Sequence, residues 1–173
     1  ITRASDYLRA YPENRALLVA VETCSLTFQP QDTSKSNLIG TSLFADGAAA
    51  VLLEGDRCPG GRKGPKITFT SSTLWKDTED VMGWDVNENG LKVIFSRDIP
   101  VLTETLLKPT IIDFLTLHQL SIGDISYFIT HPGGYKVIEA YASSLGQPLE
   151  RFSHPLGVLR DCGNMSSASV LFV

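Results

Sequence analysis

The sequence alternates continuous apolar runs with segments of helical periodicity, and this alternation restricts its fold more than any other feature. The runs RALLVAVET (residues 15–23) and SLFADGAAAVLLEG (residues 42–55) are typical of strands that are buried on both faces of a sheet. Within the second run, Asp46-Gly47 predicts a bend or bulge. PKITFTSST (residues 65–73) and GLKVIFS (residues 90–96) alternate more openly and predict strands with one exposed face.

Helical segments separate these predicted strands. The chain opens with helical spacing in ITRASDYLRAY, and Asp98 predicts the cap of a long helix over residues 99–120 that Pro109 should kink. DISYFITH (residues 124–131) predicts another buried strand, and GYKVIEAYASSLG predicts an amphipathic helix closed by Gly146. Because strands and helices interleave, the sequence predicts an α/β protein with a largely buried sheet.

Composition and charge exclude several classes of function. The chain has 173 residues, of which 43% are apolar and 20% charged, and its net charge of −4 includes no basic stripe. We therefore expect no nucleic-acid partner and no anionic membrane surface. No apolar run approaches the roughly 20 residues that cross a bilayer. Three scattered cysteines without CxxC spacing fit a reducing cytoplasm and predict neither a disulfide framework nor a metal site.

Both ends of the chain and its main loop also carry information. The sequence begins without Met inside a helical pattern and stops within the apolar run SSASVLFV, so we expect an interior segment of a longer protein. The loop GDRCPGGRKGPK lacks the spacing GxxxxGK[ST] of a phosphate-binding loop, and no helical pattern follows it. A solvated connector is the expected structure there.

Two short motifs contain the candidate catalytic residues. In ITHPGG, His131 ends a predicted strand just before a helix, where open α/β sheets gather ligand-binding groups. In CGNMSSAS, Gly163 permits an unusual turn and Asn164 carries an amide with two donor hydrogens. Each motif also has a purely structural interpretation, as a strand stop and as a helix N-cap. If the imidazole and the amide converge on one point, they form an oxyanion hole instead.

Three motifs together carry a family resemblance. ITHPGG, GNMSSASVLFV and LFADGAAAVLL resemble the thiolase-fold condensing enzymes, most closely the type III polyketide synthases of the chalcone synthase-like family. The resemblance covers essentially the whole chain. It implies an incomplete thiolase-like layered α/β fold, with residues 1–173 forming one segment. That segment would cover the end of the N-terminal half and most of the C-terminal half, without its last elements.

The resemblance also implies roles for individual residues. His131 and Asn164 match the catalytic His and Asn of the family, and Phe44 matches a gatekeeper between the CoA tunnel and the reaction cavity. Val93 stands where enzymes that take aromatic starters carry a second gatekeeping Phe. The substrate-binding residues implied in this way are Phe44, Thr27, Cys24, Leu26, Val93, Gly133 and Gly134.

The nucleophile of the family is expected outside this sequence. The resemblance places that cysteine just upstream of Ile1, and neither Cys24 nor Cys58 has the sequence setting that activates a thiolate. For Cys162, which adjoins Asn164, the resemblance implies a structural position. This segment alone is therefore expected to be inactive. His118 and His154 are expected at the surface.

The implied activity is that of an acyltransferase. The parent protein would condense malonyl-CoA, with loss of CO₂, onto an acyl-CoA starter, without metal or redox cofactor, as a cytoplasmic homodimer. Val93 favours fatty acyl starters and alkylpyrone or alkylresorcinol products. Two alternatives remain open, a ketoacyl-ACP synthase III-like enzyme and a non-catalytic module with the same fold. The first of these typically carries an HQAN-type motif, so His131-Pro132-Gly133-Gly134 favours the polyketide branch.

Overall fold

The computed structural model describes residues 1–88, 90–96 and 98–173. In that part of the chain, helices and strands interleave as the sequence predicts. The strands are β1 Arg15–Glu22, β2 Gly47–Glu54, β3 Met82–Asn87 and β4 Gly90–Phe95. The α-helices are α1 Thr2–Ala10, α2 Lys35–Leu43, α3 Ile99–Leu102, α4 Lys108–Leu117, α5 Tyr135–Ser144 and α6 Ser153–Cys162. Short 3₁₀ turns occupy Cys24–Thr27, Ile122–Asp124, Leu149–Phe152 and Ser166–Leu171.

Strands β1 and β2 form an antiparallel ladder from Arg15 opposite Glu54 to Glu22 opposite Gly47. Strand β1 lies where its apolar run predicts it, whereas β2 begins only at Gly47, because Ser42 and Leu43 belong to helix α2. Asp46-Gly47 therefore marks the start of β2 and is not the bulge predicted within a strand. The prediction of burial on both faces was wrong. Helix α1 and the turn Ser166–Leu171 pack on this sheet but leave Leu17 exposed. Among the described residues, nothing covers the face of the sheet to which Leu17 belongs.

Strands β3 and β4 form a separate antiparallel hairpin, in which Val93 lies opposite Trp84. The prediction of a strand over GLKVIFS is confirmed by β4. The β3 partner was missed, although the alternation in MGWDVN before a Gly-containing turn was an available signal. Strand β4 packs against helix α2, so this hairpin faces a helix instead of joining the first sheet.

The strands predicted at residues 65–73 and 124–131 are wrong. Both segments are extended, but the described part of the chain provides neither with a neighbouring strand, and a strand forms only where a ladder partner lies alongside. Some backbone carbonyl groups of these two segments accept hydrogen bonds from arginine side chains instead of from a neighbouring strand. Arg9 donates to Thr68, and Arg151 donates to Ile125 and Ser126.

The long helix predicted over residues 99–120 is present with an interruption. It begins after Asp98, whose carbonyl accepts from the Leu102 N–H, and it ends at Leu117. A wider π-helical turn, Thr103–Leu107, separates α3 from α4, and the Lys108 N–H donates to the Thr103 carbonyl five residues earlier. Because Pro109 has no N–H to donate, the disturbance predicted at this proline lies in the turn before it.

Helix α5 ends in a Schellman motif at the predicted glycine. Gly146 has φ +62°, and its N–H donates to the Ser143 carbonyl, while the Gln147 N–H donates to the Ala142 carbonyl. This left-handed conformation carries little cost for a residue without a Cβ atom. The predicted helix end is confirmed.

The fully buried apolar core lies between α5 and α6. Ile138, Ala142 and Phe152 form its centre, and the Phe128 ring stacks on Phe152 with 5.0 Å between ring centroids. The Arg151 guanidinium covers the other side of this cluster, 4.8 Å from the Phe128 centroid. Since Phe128 lies three residues before His131, this packing holds the segment that leads into the HPGG motif. Across the described ranges, no helix is both long and apolar enough to cross a membrane.

Candidate active site

The HPGG motif forms a tight turn between the extended segment and helix α5. The Gly133 N–H donates to the His131 carbonyl at 2.9 Å, Pro132 is fully buried, and Gly134 immediately precedes the helix. His131 itself is partly buried, and this burial lowers the pKa of its imidazole because desolvation disfavours the charged ring. At neutral pH the ring is therefore uncharged and can donate one hydrogen bond from an N–H.

Asn164 reaches the same region from the end of helix α6. Gly163 has φ +73° and ψ −167°, a conformation found essentially only for glycine. A Cβ atom at Gly163 would lie 3.0 Å from the Leu43 carbonyl oxygen. The close approach lets Asn164 form a parallel bridge with Phe44, in which the Asn164 N–H donates to Leu43 and the Ala45 N–H donates to Asn164.

Two hydrogen bonds set the orientation of the Asn164 amide. Its Oδ1 accepts from the Ser166 N–H at 2.9 Å, and its Nδ2 donates to the Gly133 carbonyl at 3.2 Å. A backbone N–H can only donate and a carbonyl can only accept, so the oxygen and the nitrogen of the amide cannot exchange places. The second hydrogen of Nδ2 is available to a further acceptor. The N-cap expected at Asn164 is wrong, because Met165 is the N-cap of the turn Ser166–Leu171 and Asn164 bonds the N–H two residues ahead.

The imidazole and the amide meet at Gly133. A Cβ atom at this glycine would lie 3.3 Å from His131 Cδ2 and 3.5 Å from Nε2. The Asn164 amide is bonded to the carbonyl of the same residue. The structure thus brings two motifs that are about thirty positions apart in the sequence together at Gly133, and the convergence of their two donors on one substrate oxygen stays a prediction.

A cavity of about 380 Å³ is lined by Phe44, the bridge partner of Asn164, but not by His131 or Asn164 themselves. The turn Cys24–Thr27, helix α2 and strand β4 form its walls, and Phe44 joins the cavity to Asn164 through the backbone bridge. The residues that line the cavity are Cys24, Ser25, Thr27, Phe28, Asn37, Gly40, Thr41, Phe44 and Val93.

Four of the substrate-binding residues named from the sequence line this cavity, namely Cys24, Thr27, Phe44 and Val93. The structure does not place Leu26 there. Its side chain is 79% exposed because the 3₁₀ turn directs it away from the cavity. Gly133 and Gly134 do not line the cavity either, and they lie at the HPGG turn beside His131.

Sequence reasoning missed the wall that helix α2 provides. Asn37, Gly40 and Thr41 belong to this wall. A glycine inside a helix was the available signal, since it costs about 1 kcal/mol relative to Ala and often marks close packing. A Cβ atom at Gly40 would lie 3.3 Å from Val93 Cγ1 and 3.5 Å from Phe44 Cε2.

Cys24 lies in the cavity but is poorly suited to be a nucleophile. Burial raises the pKa of its thiol, and the nearby carboxylates of Glu22 and Asp46 raise it further. The thiol therefore stays protonated at neutral pH, which agrees with the expectation that Cys24 is not the catalytic cysteine. Cys24, Cys58 and Cys162 are all free thiols.

The Cys24–Thr27 turn is held against the sheet by a carboxylate. The Ser25 N–H and hydroxyl both donate to Asp46, at 2.7 and 2.6 Å, and these bonds lower the pKa of Asp46. The described residues include no group of three His, Cys, Asp or Glu side chains placed to bind a metal ion.

Comparison with known protein families gives a match over more than half of the chain. The model of the C-terminal domain of chalcone and stilbene synthases matches residues 66–173. A Bacillus subtilis protein named "Putative chalcone synthase" is 52% identical over 177 residues, which cover 100% of this chain and 48% of that protein. A 1,3,6,8-tetrahydroxynaphthalene synthase of Streptomyces peucetius is 40% identical over 174 residues. This match covers 99% of this chain and 45% of that protein.

Solved structures give the same result. The crystal structure of 1,3,6,8-tetrahydroxynaphthalene synthase from Streptomyces coelicolor, a bacterial type III polyketide synthase, superposes with a TM-score of 0.91 at 32% identity. The match covers 99% of this chain and 48% of that one. PKS-I from the brown alga Ectocarpus siliculosus gives 0.90 at 32% identity, over 99% of this chain and 45% of the other.

These similarities confirm the predicted fold class, a thiolase-like layered α/β fold present in its C-terminal portion. The chain spans about half the length of the curated relatives it matches.

Proposed function

The chain belongs to the chalcone and stilbene synthase family of type III polyketide synthases, and on that premise we propose that its parent protein condenses malonyl-CoA onto an acyl-CoA starter with loss of CO₂. One observation carries this proposal. The Asn164 amide is oriented by the Ser166 N–H and by the carbonyl of Gly133 in the HPGG turn, and it keeps one donor hydrogen for a further acceptor, while the uncharged His131 ring belongs to the same turn. The family assignment favours this function over a ketoacyl-ACP synthase III-like activity.

The first step of the proposed reaction uses a cysteine thiolate that we assign to the part of the parent protein outside residues 1–173. The thiolate attacks the carbonyl carbon of the acyl-CoA starter, and the CoA thiolate leaves, so the starter becomes a thioester of the enzyme. Because this segment would lack that nucleophile, we expect it to form no acyl-enzyme by itself.

His131 and Asn164 act in the second step. When malonyl-CoA loses CO₂, the electron pair of the broken C–C bond forms an enolate, and the thioester oxygen gains negative charge. The imidazole N–H and the amide N–H donate to that oxygen. Fixed donors of this kind contribute roughly 3–4 kcal/mol each to a charge-developing step. The enolate carbon then attacks the enzyme-bound acyl group, releases the cysteine thiolate and extends the chain by two carbons.

The cavity is proposed to hold the acyl chain. Cys24, Thr27 and Val93 line it, and the Phe44 ring offers an apolar face that excludes water from the reacting carboxylate. We assign Gly133 and Gly134 to the substrate site on the family resemblance. For the two glycines the structure adds their place in the turn beside His131.

Val93 supports a preference for fatty acyl starters. Its side chain is buried at the cavity wall, and a valine leaves the space that a larger phenylalanine would fill. An aliphatic chain that enters such space gains roughly 0.8 kcal/mol per buried CH₂ group. We therefore propose medium or long fatty acyl-CoA starters and alkylpyrone or alkylresorcinol products.

The proposed reaction needs no further cofactor, because hydrogen-bond donors stabilise the developing charge. Acyl-CoA and malonyl-CoA are the proposed small-molecule partners. We further propose that the parent protein acts as a homodimer in the cytoplasm, without nucleic-acid or membrane partners.

Substitution of the two donors in the full-length parent protein tests the proposed function. Asn164→Ala should lower the rate of malonyl-CoA decarboxylation by about 100-fold or more, while intact-mass spectrometry should still detect acylation of the cysteine by the starter. His131→Ala should impair both steps, since the imidazole also supports the thiolate. Asn14→Ala, at an exposed asparagine bonded to Tyr7, is the matched control and should keep both activities. Decarboxylation near the wild-type rate in both donor variants would contradict the proposal.

Starter preference needs a separate measurement. The specificity constants kcat/KM for hexanoyl-, dodecanoyl- and coumaroyl-CoA should favour the fatty starters in the wild-type parent. Val93→Phe should lower the value for dodecanoyl-CoA about tenfold, because the added ring occupies space for the chain. A clear preference for coumaroyl-CoA that is unchanged or reduced in Val93→Phe would exclude the fatty starter.

A further inference from the structure

Two separate structural units face each other across the cavity. Helix α2 and the loop that precedes it form one wall, and Val93 of the β3–β4 hairpin forms the other. The hairpin pairs with no other strand in the described ranges, so its position depends on its contacts with α2 and the turn Cys24–Thr27. The distance between the walls therefore depends on what holds the hairpin in place.

An ion pair links the two walls. The Lys92 ammonium on β4 lies 3.4 Å from Asp32 Oδ2 in the loop before α2. The side chain of Asp32 is 17% exposed and that of Lys92 is 42% exposed. Asp32 Oδ2 is inaccessible to solvent and accepts no hydrogen bond from the described residues, so the Lys92 ammonium supplies its compensating charge.

The loop end of this pair is firmly attached to α2. The Asn37 side chain donates to the carbonyls of Gln29 and Asp32, at 2.9 and 2.6 Å. The Ser34 N–H donates to Asp32 Oδ1 at 2.8 Å, and the Ser34 hydroxyl accepts from the Asn37 N–H at the start of the helix. Asp32 is thus a fixed point on the α2 side.

The hairpin end of the pair is adjacent to the cavity residue. Lys92 and Val93 are consecutive on β4, so a constraint on the Lys92 ammonium is transmitted to Val93 through one residue of strand. Val93 Cγ1 in turn lies so near α2 that a Cβ atom at Gly40 would meet it at 3.3 Å. The two walls therefore approach closely at Gly40 and Val93, at the edge of the cavity.

We propose that the Asp32–Lys92 ion pair is a positioning device that holds the β3–β4 hairpin against α2, sets the width of the cavity at Val93 and thereby limits the acyl-chain length accepted. The inference rests on the proposed function for its link to acyl chains. The attachment of the hairpin itself can be measured without catalysis.

The experiment compares variants of the full-length parent protein by two readouts. Trp84, opposite Val93 in the hairpin and 6.2 Å from the Phe44 ring between centroids, reports the hairpin position through its fluorescence. For each variant, the fluorescence of Trp84 is the difference between the protein with Trp84 and the same protein with the substitution Trp84→Phe. The second readout is the ratio of kcat/KM for dodecanoyl-CoA to that for hexanoyl-CoA.

Loss of the pair should release the hairpin and widen the cavity. Lys92→Met and Asp32→Asn should raise the acrylamide quenching constant of Trp84 about twofold and raise the ratio of dodecanoyl- to hexanoyl-CoA specificity about fivefold. Lys92→Arg keeps the charge and should keep both values. The reversed pair, Asp32→Lys with Lys92→Asp, should recover at least about half of each change, since the interaction is pairwise.

The chain offers a matched control in the connector loop. Lys66 and Asp56 form an ion pair at 3.0 Å, with side chains 68% and 72% exposed, and neither residue lines the cavity. Lys66→Met should change neither readout.

The outcomes separate this proposal from the proposed function. An unchanged quenching constant of Trp84 in Lys92→Met overturns the positioning role. The role is also overturned if the changes in the two readouts for the reversed pair equal the sum of the changes in the single substitutions. A wild-type parent that extends neither starter counts against the proposed function alone, and the quenching constants then still decide whether the pair holds the hairpin. Increased quenching without a change in the starter ratio overturns the claim that the pair limits chain length.

Discussion

The helical region around Phe152 buries its apolar side chains within the chain, whereas the β1–β2 sheet leaves one apolar face open. Ile138 and Phe152 are 0% exposed, but Leu17 and Val21 are each 65% exposed. Both regions are rich in apolar residues. The difference shows that an apolar pattern indicates a contact surface, but not whether residues of the same chain cover that surface.

The open face is continuous along the sheet. Leu17 pairs with Leu52, Val19 with Ala50 and Val21 with Ala48, and all six side chains are exposed. Exposed apolar faces of this kind are contact surfaces in folded proteins. Because the curated relatives are about twice as long as this chain, we expect the remainder of the parent protein to cover this face.

The largest expected effect contrasts the two regions directly. In the 173-residue chain, Phe152→Ala should lower the free energy of unfolding by about 3–5 kcal/mol, because it leaves a cavity in the closed core. Leu17→Ala should change that free energy by less than about 0.5 kcal/mol, since the side chain is already in water. Urea denaturation measures both values. In the full-length parent protein, the cost of Leu17→Ala should rise to about 2–3 kcal/mol if the face is covered there. An equal and small cost in both proteins would contradict a cover.

A smaller effect distinguishes the exposed end of helix α5 from the point where the end of α6 meets the end of α2. Gly163 and Gly146 both have positive φ, but only Gly163 faces a backbone oxygen at close range, and an added Cβ at Gly146 meets nothing within 4 Å. We expect Gly163→Ala to lower the free energy of unfolding by about 2–3 kcal/mol and Gly146→Ala by about 1 kcal/mol. Thermal and urea denaturation of both variants provide the test. If both substitutions lower the free energy of unfolding equally, the close approach of Gly163 to Leu43 does not add to the cost of Gly163→Ala.

The smallest effect is the pH dependence that His131 contributes to the helical region. Burial lowers the pKa of this imidazole, so below the ordinary value of about 6.5 the unfolded chain binds the proton more readily than the folded chain. The free energy of unfolding should therefore fall as the pH decreases from about 6.5, with a slope below about 1.4 kcal/mol per pH unit. His131→Gln should reduce this slope in denaturation curves between about pH 7 and pH 5.5.

The control for this measurement is His154→Gln, at an exposed ring. It should leave the slope unchanged. A slope that falls equally in both variants would mean that the burial of His131 does not affect stability. The carboxylates with lowered pKa, among them Asp46 and Asp124, lose their contribution at lower pH and do not interfere in this range.

Much of the candidate site could be predicted from the sequence, because its residues lie in motifs with strong local requirements. Gly163 must adopt a conformation essentially restricted to glycine, and His131 stands at the junction of an extended segment and a helix. The hydrogen bond from Asn164 to Gly133 in the turn after His131 depends on contacts between residues that are distant in the chain. The narrow contact between Gly40 and Val93 is of the same kind, because a glycine inside a helix indicates close packing but not which residue packs there.

The sequence by itself determined two kinds of element. In the first, the hydrogen bonds join residues that are near in the chain, and in the second, they join two strongly apolar strands. These are helix α5 with its Gly146 ending, the helix that begins after Asp98, and the strands β1 and β2. Only the tertiary structure decided that residues 65–73 and 124–131 form no strand and that one face of β1 stays exposed. The physical reason is that a ladder and a buried face both require a partner surface, whereas a turn or a helix end is satisfied by its own neighbouring residues.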